Sequence, residues 1–87
     1  MTHTKEVVIN LIQGMGFEDI NISDDQSLKN DVGFDSLDKV DLVIRCEREF
    51  GIRFFDEDHE AIKTIGDIVS YIEDKVKLNE AKNGIEN

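Results

Sequence analysis

Ser36 follows the turn-forming stretch Asp31-Val32-Gly33-Phe34-Asp35 and stands at the predicted start of the most amphipathic helix in the chain. The first backbone N–H groups of a helix lack intrahelical partners, so a serine there either caps the helix or marks a place where a phosphate is welcome. A nucleophilic serine needs a base within hydrogen-bond reach and a third group to orient that base. His3 lies close to a terminus and His59 sits in the acidic run Asp56-Glu57-Asp58-His59-Glu60, so both are expected to be solvated and neither is placed for a triad. No other paired catalytic groups occur at a plausible spacing, and enzymatic activity is not expected. Ser36 is better equipped to be the substrate of an enzyme that brings its own base and metal. Cys46 falls within an apolar stripe and reads as an inert core residue. The acidic run resembles the start of a calcium loop, but Ala61 stands where glycine is required, so it reads as a solvated face and no metal site is expected.

The elements that must position Ser36 follow from periodicity and capping signals. Val7, Val8, Leu11, Ile12 and Met15 recur on one face of a helix over residues 4–15, with Gly14 and Gly16 at its far end. Residues 17–35 carry isolated apolar side chains (Phe17, Ile20, Ile22, Leu28, Val32, Phe34) between turn formers and read as a long loop. Loops of that length are normally pinned by such anchors or broken by a helical turn, for which Ser23 and Gln26 offer a capping box. A second helix runs from Ser36 or Leu37 to Phe50, with Asp35 or Ser36 as cap, Asp38 in the first turn and Gly51 as the stop. Ile52-Arg53-Phe54-Phe55 reads as a loop, because no second strand exists to pair with it. Asp56 is expected to cap a short helix through Ile62, and Thr64 with Asp67 to cap a last helix whose stripe is Ile65, Ile68, Val69, Ile72 and Val76. That helix is expected to fray after Lys77. The fold class is therefore all-α: a small antiparallel four-helix bundle, three longer helices and one short, in a domain of residues 1–78, with 79–87 a disordered C-terminal tail.

The formal charge of −10, from 20 acidic and 10 basic residues, argues against nucleic-acid or anionic-membrane partners and favours a basic protein surface. A single cysteine excludes an internal disulfide and zinc-site spacing and fits a reducing compartment. No apolar run is long enough to span a bilayer, so the expectation is a cytoplasmic monomer without membrane insertion.

On a helical wheel, Leu42, Val43, Cys46 and Phe50 complete one core stripe of the second helix. Leu37, Val40 and Ile44 remain, roughly opposite and fringed by Asp41, Glu47 and Arg48, which reads as a stripe for docking a partner. The run Asp31 to Asp38, followed by Val40, Asp41, Leu42 and Val43, resembles the attachment motif of acyl carrier proteins. The resemblance extends through Glu47-Arg48-Glu49-Phe50, Ile52, Asp56-Glu57-Asp58 and Thr64-Ile65-Gly66-Asp67-Ile68 to Tyr71-Ile72, covering roughly residues 4–77.

The resemblance implies that a holo-acyl-carrier-protein synthase esterifies Ser36 with the 4′-phosphopantetheine of coenzyme A, Asp35 assisting the synthase's metal ion. The thiol of that arm then carries acyl groups as thioesters in fatty-acid or related lipid and secondary-metabolite biosynthesis. Leu37, Asp38, Val40, Asp41, Ile44 and Glu47 are implied to recognise acyl-processing enzymes through basic docking surfaces on those partners. The alternatives are a carrier of aminoacyl or polyketide intermediates, or an acidic helical interaction module in which Ser36 is only a cap.

Overall fold

Periodic apolar residues, punctuated by glycines, fold into helices around one shared core. The computed structural model describes the backbone of residues 2–17 and 23–86 and the side chains of residues 3–17 and 23–78; Ile20 and Ile22, two of the expected loop anchors, lie outside them. Three long helices are present: α1 (Thr2–Gly14), α2 (Ser36–Phe50) and α3 (Ile65–Glu86). Two short elements join them, a π-helical turn at Leu28–Val32 and a 3-10 turn at Asp56–Ala61. The described residues thus form five helical elements and no strand, where the sequence predicts four helices; the additional one interrupts the long loop. Among the described residues, no helix is long and apolar enough to cross a membrane.

The periodic stripes meet in the middle. Val8 and Ile12 of α1, Leu42, Val43 and Cys46 of α2, and Ile65, Ile68 and Ile72 of α3 are buried together with Ile62. Truncating one of the large aliphatic members, such as Leu42 to alanine, is expected to cost about 2–5 kcal/mol, the lost transfer free energy plus the cavity left behind. Burial disfavours the thiolate of Cys46 and pushes its pKa up to about 12, which leaves the thiol an inert hydrophobe at neutral pH.

The connections are pinned by apolar anchors. Leu28, Val32 and Phe34 are buried, and Phe17 packs on Phe34 with ring centroids 4.8 Å apart. The turn in this loop begins later than the Ser23–Gln26 spacing suggests. Its cap is Ser27, whose Oγ accepts the N–H of Asn30 while Asp31 Oδ2 accepts the N–H of Ser27 at 2.7 Å. The N–H of Val32 reaches back to the Ser27 carbonyl, a five-residue span that makes the turn wide. Gly33 ends it at φ +95°, a left-handed conformation that glycine adopts without steric penalty. After α2, Gly51 does the same at φ +67°, and its N–H bonds to the Glu47 carbonyl. Residues 52–55 run as an irregular connection, with Ile52 and Phe54 inserted into the core.

Several helix boundaries differ from the sequence reading: α1 runs from Thr2 to Gly14 where residues 4–15 are expected, and the short turn ends at Ala61 and not Ile62. The short turn takes Phe55, not Asp56, at its capping position, and no side chain caps it. The backbone of α3 remains helical to Glu86, beyond the fraying expected at Lys77. His59 is not simply solvated: its ring meets Phe54 edge-on at 6.5 Å.

Candidate functional site

The start of α2 resolves which residue caps it. Asp35 has an extended backbone, and its Oδ1 accepts the N–H of Asp38 at 2.9 Å. Asp38 Oδ2 accepts the N–H of Asp35 at 3.1 Å, closing a reciprocal capping box. The two carboxylates also lie where the helix field favours negative charge. Ser36 is therefore the first residue inside the helix and not its cap, and the reading in which Ser36 serves only as a cap is overturned. Its side chain is exposed, and among the described residues no hydrogen bond engages its hydroxyl.

Beside Ser36 lies a groove of about 650 Å³ whose walls come from three parts of the chain. The Leu28–Val32 turn supplies Leu28, Lys29 and Asn30, the start of α2 supplies Asp35, Ser36 and Lys39, and the stretch before α3 supplies Glu60, Ile62 and Lys63. Phe34, Leu28 and Ile62 are buried and give it apolar lining. Backbone bonds hold the walls in register: the N–H of Leu28 donates to the Lys63 carbonyl at 2.9 Å, and the N–H of Ile65 to the Gln26 carbonyl at 3.0 Å. Lys39 Nζ donates to the His59 carbonyl and ties α2 to the 3-10 turn. Partial burial of that ammonium holds its pKa below the ordinary lysine value.

Along α2 the stripe Leu37, Val40 and Ile44 is left in solvent, 78%, 44% and 42% exposed, so the bundle wraps one side of this helix and not both. A second groove of about 470 Å³ is lined by Val40 and Ile44 together with Arg53 and Phe54. The three acidic residues predicted beside the stripe all have partners within the chain. Asp38 completes the capping box, Asp41 pairs with Arg45 at 3.1 Å, and Glu47 Oε2 accepts the N–H of Phe54 at 2.8 Å. The last bond fixes the connection after α2, a role the helical spacing of Glu47 does not announce.

Sequence reasoning also missed Lys29, Lys39 and Lys63 as members of the site. The one available signal was Lys39, three residues after Ser36 and hence on the same side of α2. The other two arrive through contacts distant in sequence. At the opposite end of the short turn, Tyr71 donates to Asp58 Oδ2 at 2.6 Å, accepts from the N–H of Phe55 and stacks on Phe54 at 4.6 Å. Burial and the Asp58 carboxylate raise the pKa of that phenol.

Comparison with known proteins bears on this arrangement. Residues 6–72 match the family described as a phosphopantetheine attachment site. A curated acyl carrier protein of Thermotoga maritima is 48% identical over 62 residues, 71% of this chain and 76% of its own length. Among solved structures, a candidate acyl carrier protein from Mycobacterium tuberculosis superposes with a TM-score of 0.72 at 36% identity, covering 77% of this chain and 90% of that one. A crystal structure of an acyl carrier protein from Thermotoga maritima gives a TM-score of 0.74 at 26% identity, covering 88% of this chain and 96% of that one.

Proposed function

This chain belongs to the phosphopantetheine-attachment family as an acyl carrier protein, and on that premise we propose that Ser36 is the residue that bears the prosthetic arm. Membership brings a covalent 4′-phosphopantetheine derived from coenzyme A and the role of a carrier rather than an enzyme. When attached, the arm supplies a terminal thiol on which acyl groups ride as thioesters. The observation that carries the assignment is the separation of duties at the start of α2: Asp35 caps the helix, and the neighbouring hydroxyl is left exposed and unengaged. An amphiphilic arm rooted there also fits the adjoining groove, which combines buried apolar lining with polar rims.

In the loading step, Ser36 Oγ would attack the pantetheine-side phosphorus of coenzyme A and give up its proton to the synthase, while the pyrophosphate bond breaks and 3′,5′-ADP leaves. Asp35, adjacent in sequence and with its carboxylate at the helix surface, supports the synthase's metal ion. The family interacts with holo-acyl-carrier-protein synthase and with acyl-processing enzymes. For those encounters Leu37, Val40 and Ile44 offer exposed apolar contacts, and Asp38, Asp41 and Glu47 set the sign of the field. A net charge of −10 speeds association with basic docking surfaces while an exposed stripe of three side chains keeps the complex short-lived. The carrier unit is residues 1–78, supported by a core that ends with α3 residues Ile72 and Val76. Functionally it is a bundle of three longer helices and the short one at Asp56–Ala61, with the Leu28–Val32 turn belonging to the loop that delivers Ser36. We assign it to the cytoplasm as a monomer serving fatty-acid or related lipid synthesis, with aminoacyl or polyketide cargo as the alternative.

Incubation of the apo protein with coenzyme A and a phosphopantetheinyl transferase is expected to add one arm by intact mass, and Ser36→Ala to add none. A wild-type protein that stays unmodified contradicts the assignment.

A further inference from the structure

The exposed face of α2 changes sign along its length. Near Ser36 it carries the carboxylates of Asp35, Asp38 and Asp41, and the one cation of that half, Lys39, is turned to the His59 carbonyl. Helical spacing sets Leu37, Val40, Asp41, Ile44 and Arg48 in one row, whereas Glu49 falls off it. Arg48 is exposed and follows Ile44 by one turn. A second exposed arginine reaches the same end from outside the helix, since Arg53 lines the groove of Val40 and Ile44. Neighbouring acids do not neutralise these two. Glu47 in that groove accepts the N–H of Phe54, Asp56 lines the groove without pairing, and Asp41 already holds Arg45 at 3.1 Å. Among the described residues no hydrogen bond or ion pair engages the guanidinium of Arg48 or Arg53. A chain with formal charge −10 thus keeps two unpaired cations at the far end of its exposed apolar row.

We propose that the holo-acyl-carrier-protein synthase reads this face with a surface of two signs, basic side chains over the acidic start of α2 and a carboxylate over Arg48 and Arg53. The inference rests on Ser36 as the attachment point and on docking along α2. The synthase must reach Ser36 itself, so its footprint includes the acidic end. Arg48 lies about 18 Å further along the helix at its usual rise per residue. A standard contact of about 800 Å² per partner is roughly 30 Å across and takes in both ends. Arginine offers a planar fork of donors that matches a carboxylate, so one acid on the partner suffices to engage it. A wholly basic partner would instead set like charges together beside Ile44. The two signs also fix direction. A carrier docked end for end would place acid against acid and arginine against base, and that repulsion keeps Ser36 at the active-site end. Arg48 and Arg53 are positioning residues that act on the orientation of the carrier.

The test is the kinetics of loading from coenzyme A by the synthase encoded in the same genome, with the apo carrier as varied substrate. Arg48→Gln with Arg53→Gln makes the chain still more acidic, so steering by net charge alone predicts a lower KM for the carrier. A carboxylate on the synthase predicts the reverse: KM rises roughly fivefold with kcat held, the scale of two exposed charge contacts. Each single variant should raise KM by about twofold, and Arg48→Glu with Arg53→Glu should raise it further than the glutamine pair. Arg48→Lys with Arg53→Lys should recover most of the loss, because the charge is kept. Lys77→Gln removes a positive charge at an exposed position of α3 and should not raise KM. Far-UV spectra report that each variant is folded. A KM that falls or holds in the folded glutamine variants, or that rises equally in Lys77→Gln, overturns this inference alone. A wild-type protein that takes no arm on Ser36 overturns this inference and the assignment it rests on.

Discussion

At the start of α2 the capping oxygen is a carboxylate, Asp35 Oδ1, and at the start of α3 it is a hydroxyl, Thr64 Oγ1. Both belong to reciprocal boxes: Asp38 returns its carboxylate to the N–H of Asp35, and Asp67 returns its own to the N–H of Thr64 at 3.0 Å. At α3 the hydroxyl is consumed by the fold, because it satisfies the N–H of Asp67. At α2 the hydroxyl comes one residue later, past a cap that is already complete, and is exposed. The same motif thus consumes a hydroxyl at one helix start and leaves one unengaged at the other. What separates them is a one-residue offset between cap and hydroxyl.

The sharpest way to break this contrast is Ser36→Ala. All arm addition should be lost, while the midpoint of denaturant unfolding moves by no more than about 0.5 kcal/mol in free energy, because no capping bond is removed. Next in size is Asp35→Asn. Asparagine caps as well as aspartate, so stability should hold within a few tenths of a kcal/mol. Support for the synthase's metal should fall, slowing loading by roughly tenfold, about 1.4 kcal/mol of barrier. Unchanged loading kinetics would remove Asp35 from that role and leave it a cap alone. At the other helix start, Thr64→Ala should cost about 1 kcal/mol of stability and leave the loading rate untouched. The smallest effect concerns Asp67. Hydrogen bonds from the N–H groups of Lys63 and Thr64 hold its carboxyl below the ordinary aspartate value of 3.8. A depressed folded-state pKa contributes stability that is complete above about pH 5 and is lost as the pH falls through the folded value. Asp67→Asn should therefore flatten the acid limb of a stability-against-pH curve by lowering its neutral plateau, with stability below the folded pKa nearly unchanged.

Much of this contrast was legible in the residues. Gly51 as the stop of α2, the Thr64–Asp67 box and the buried stripe of Leu42, Val43 and Cys46 each follow from local spacing, and each is present. Asp35 and Ser36 are both good capping types, and composition could not choose between them. The acid at Asp38, three residues after Asp35, does choose, since Ser36 has Lys39 at the matching place and a lysine cannot return a bond to a backbone N–H. The turn at Leu28–Val32 was displaced for a similar reason: Ser23 and Ser27 both precede acceptable partners, and the burial of Leu28 and Val32 decides for the second. The groove was not legible, because Lys29, Lys39 and Lys63 are brought together only by packing of segments distant in sequence.

The most direct measurement is fragment-ion mapping of the protein after loading from coenzyme A. The phosphopantetheine mass should be found on Ser36 alone, with Ser23, Ser27, Thr64 and Ser70 unmodified. Finding it on one of those hydroxyls instead, while Ser36 stays bare, would contradict the claim that the cap at Asp35 leaves Ser36 free to carry the arm.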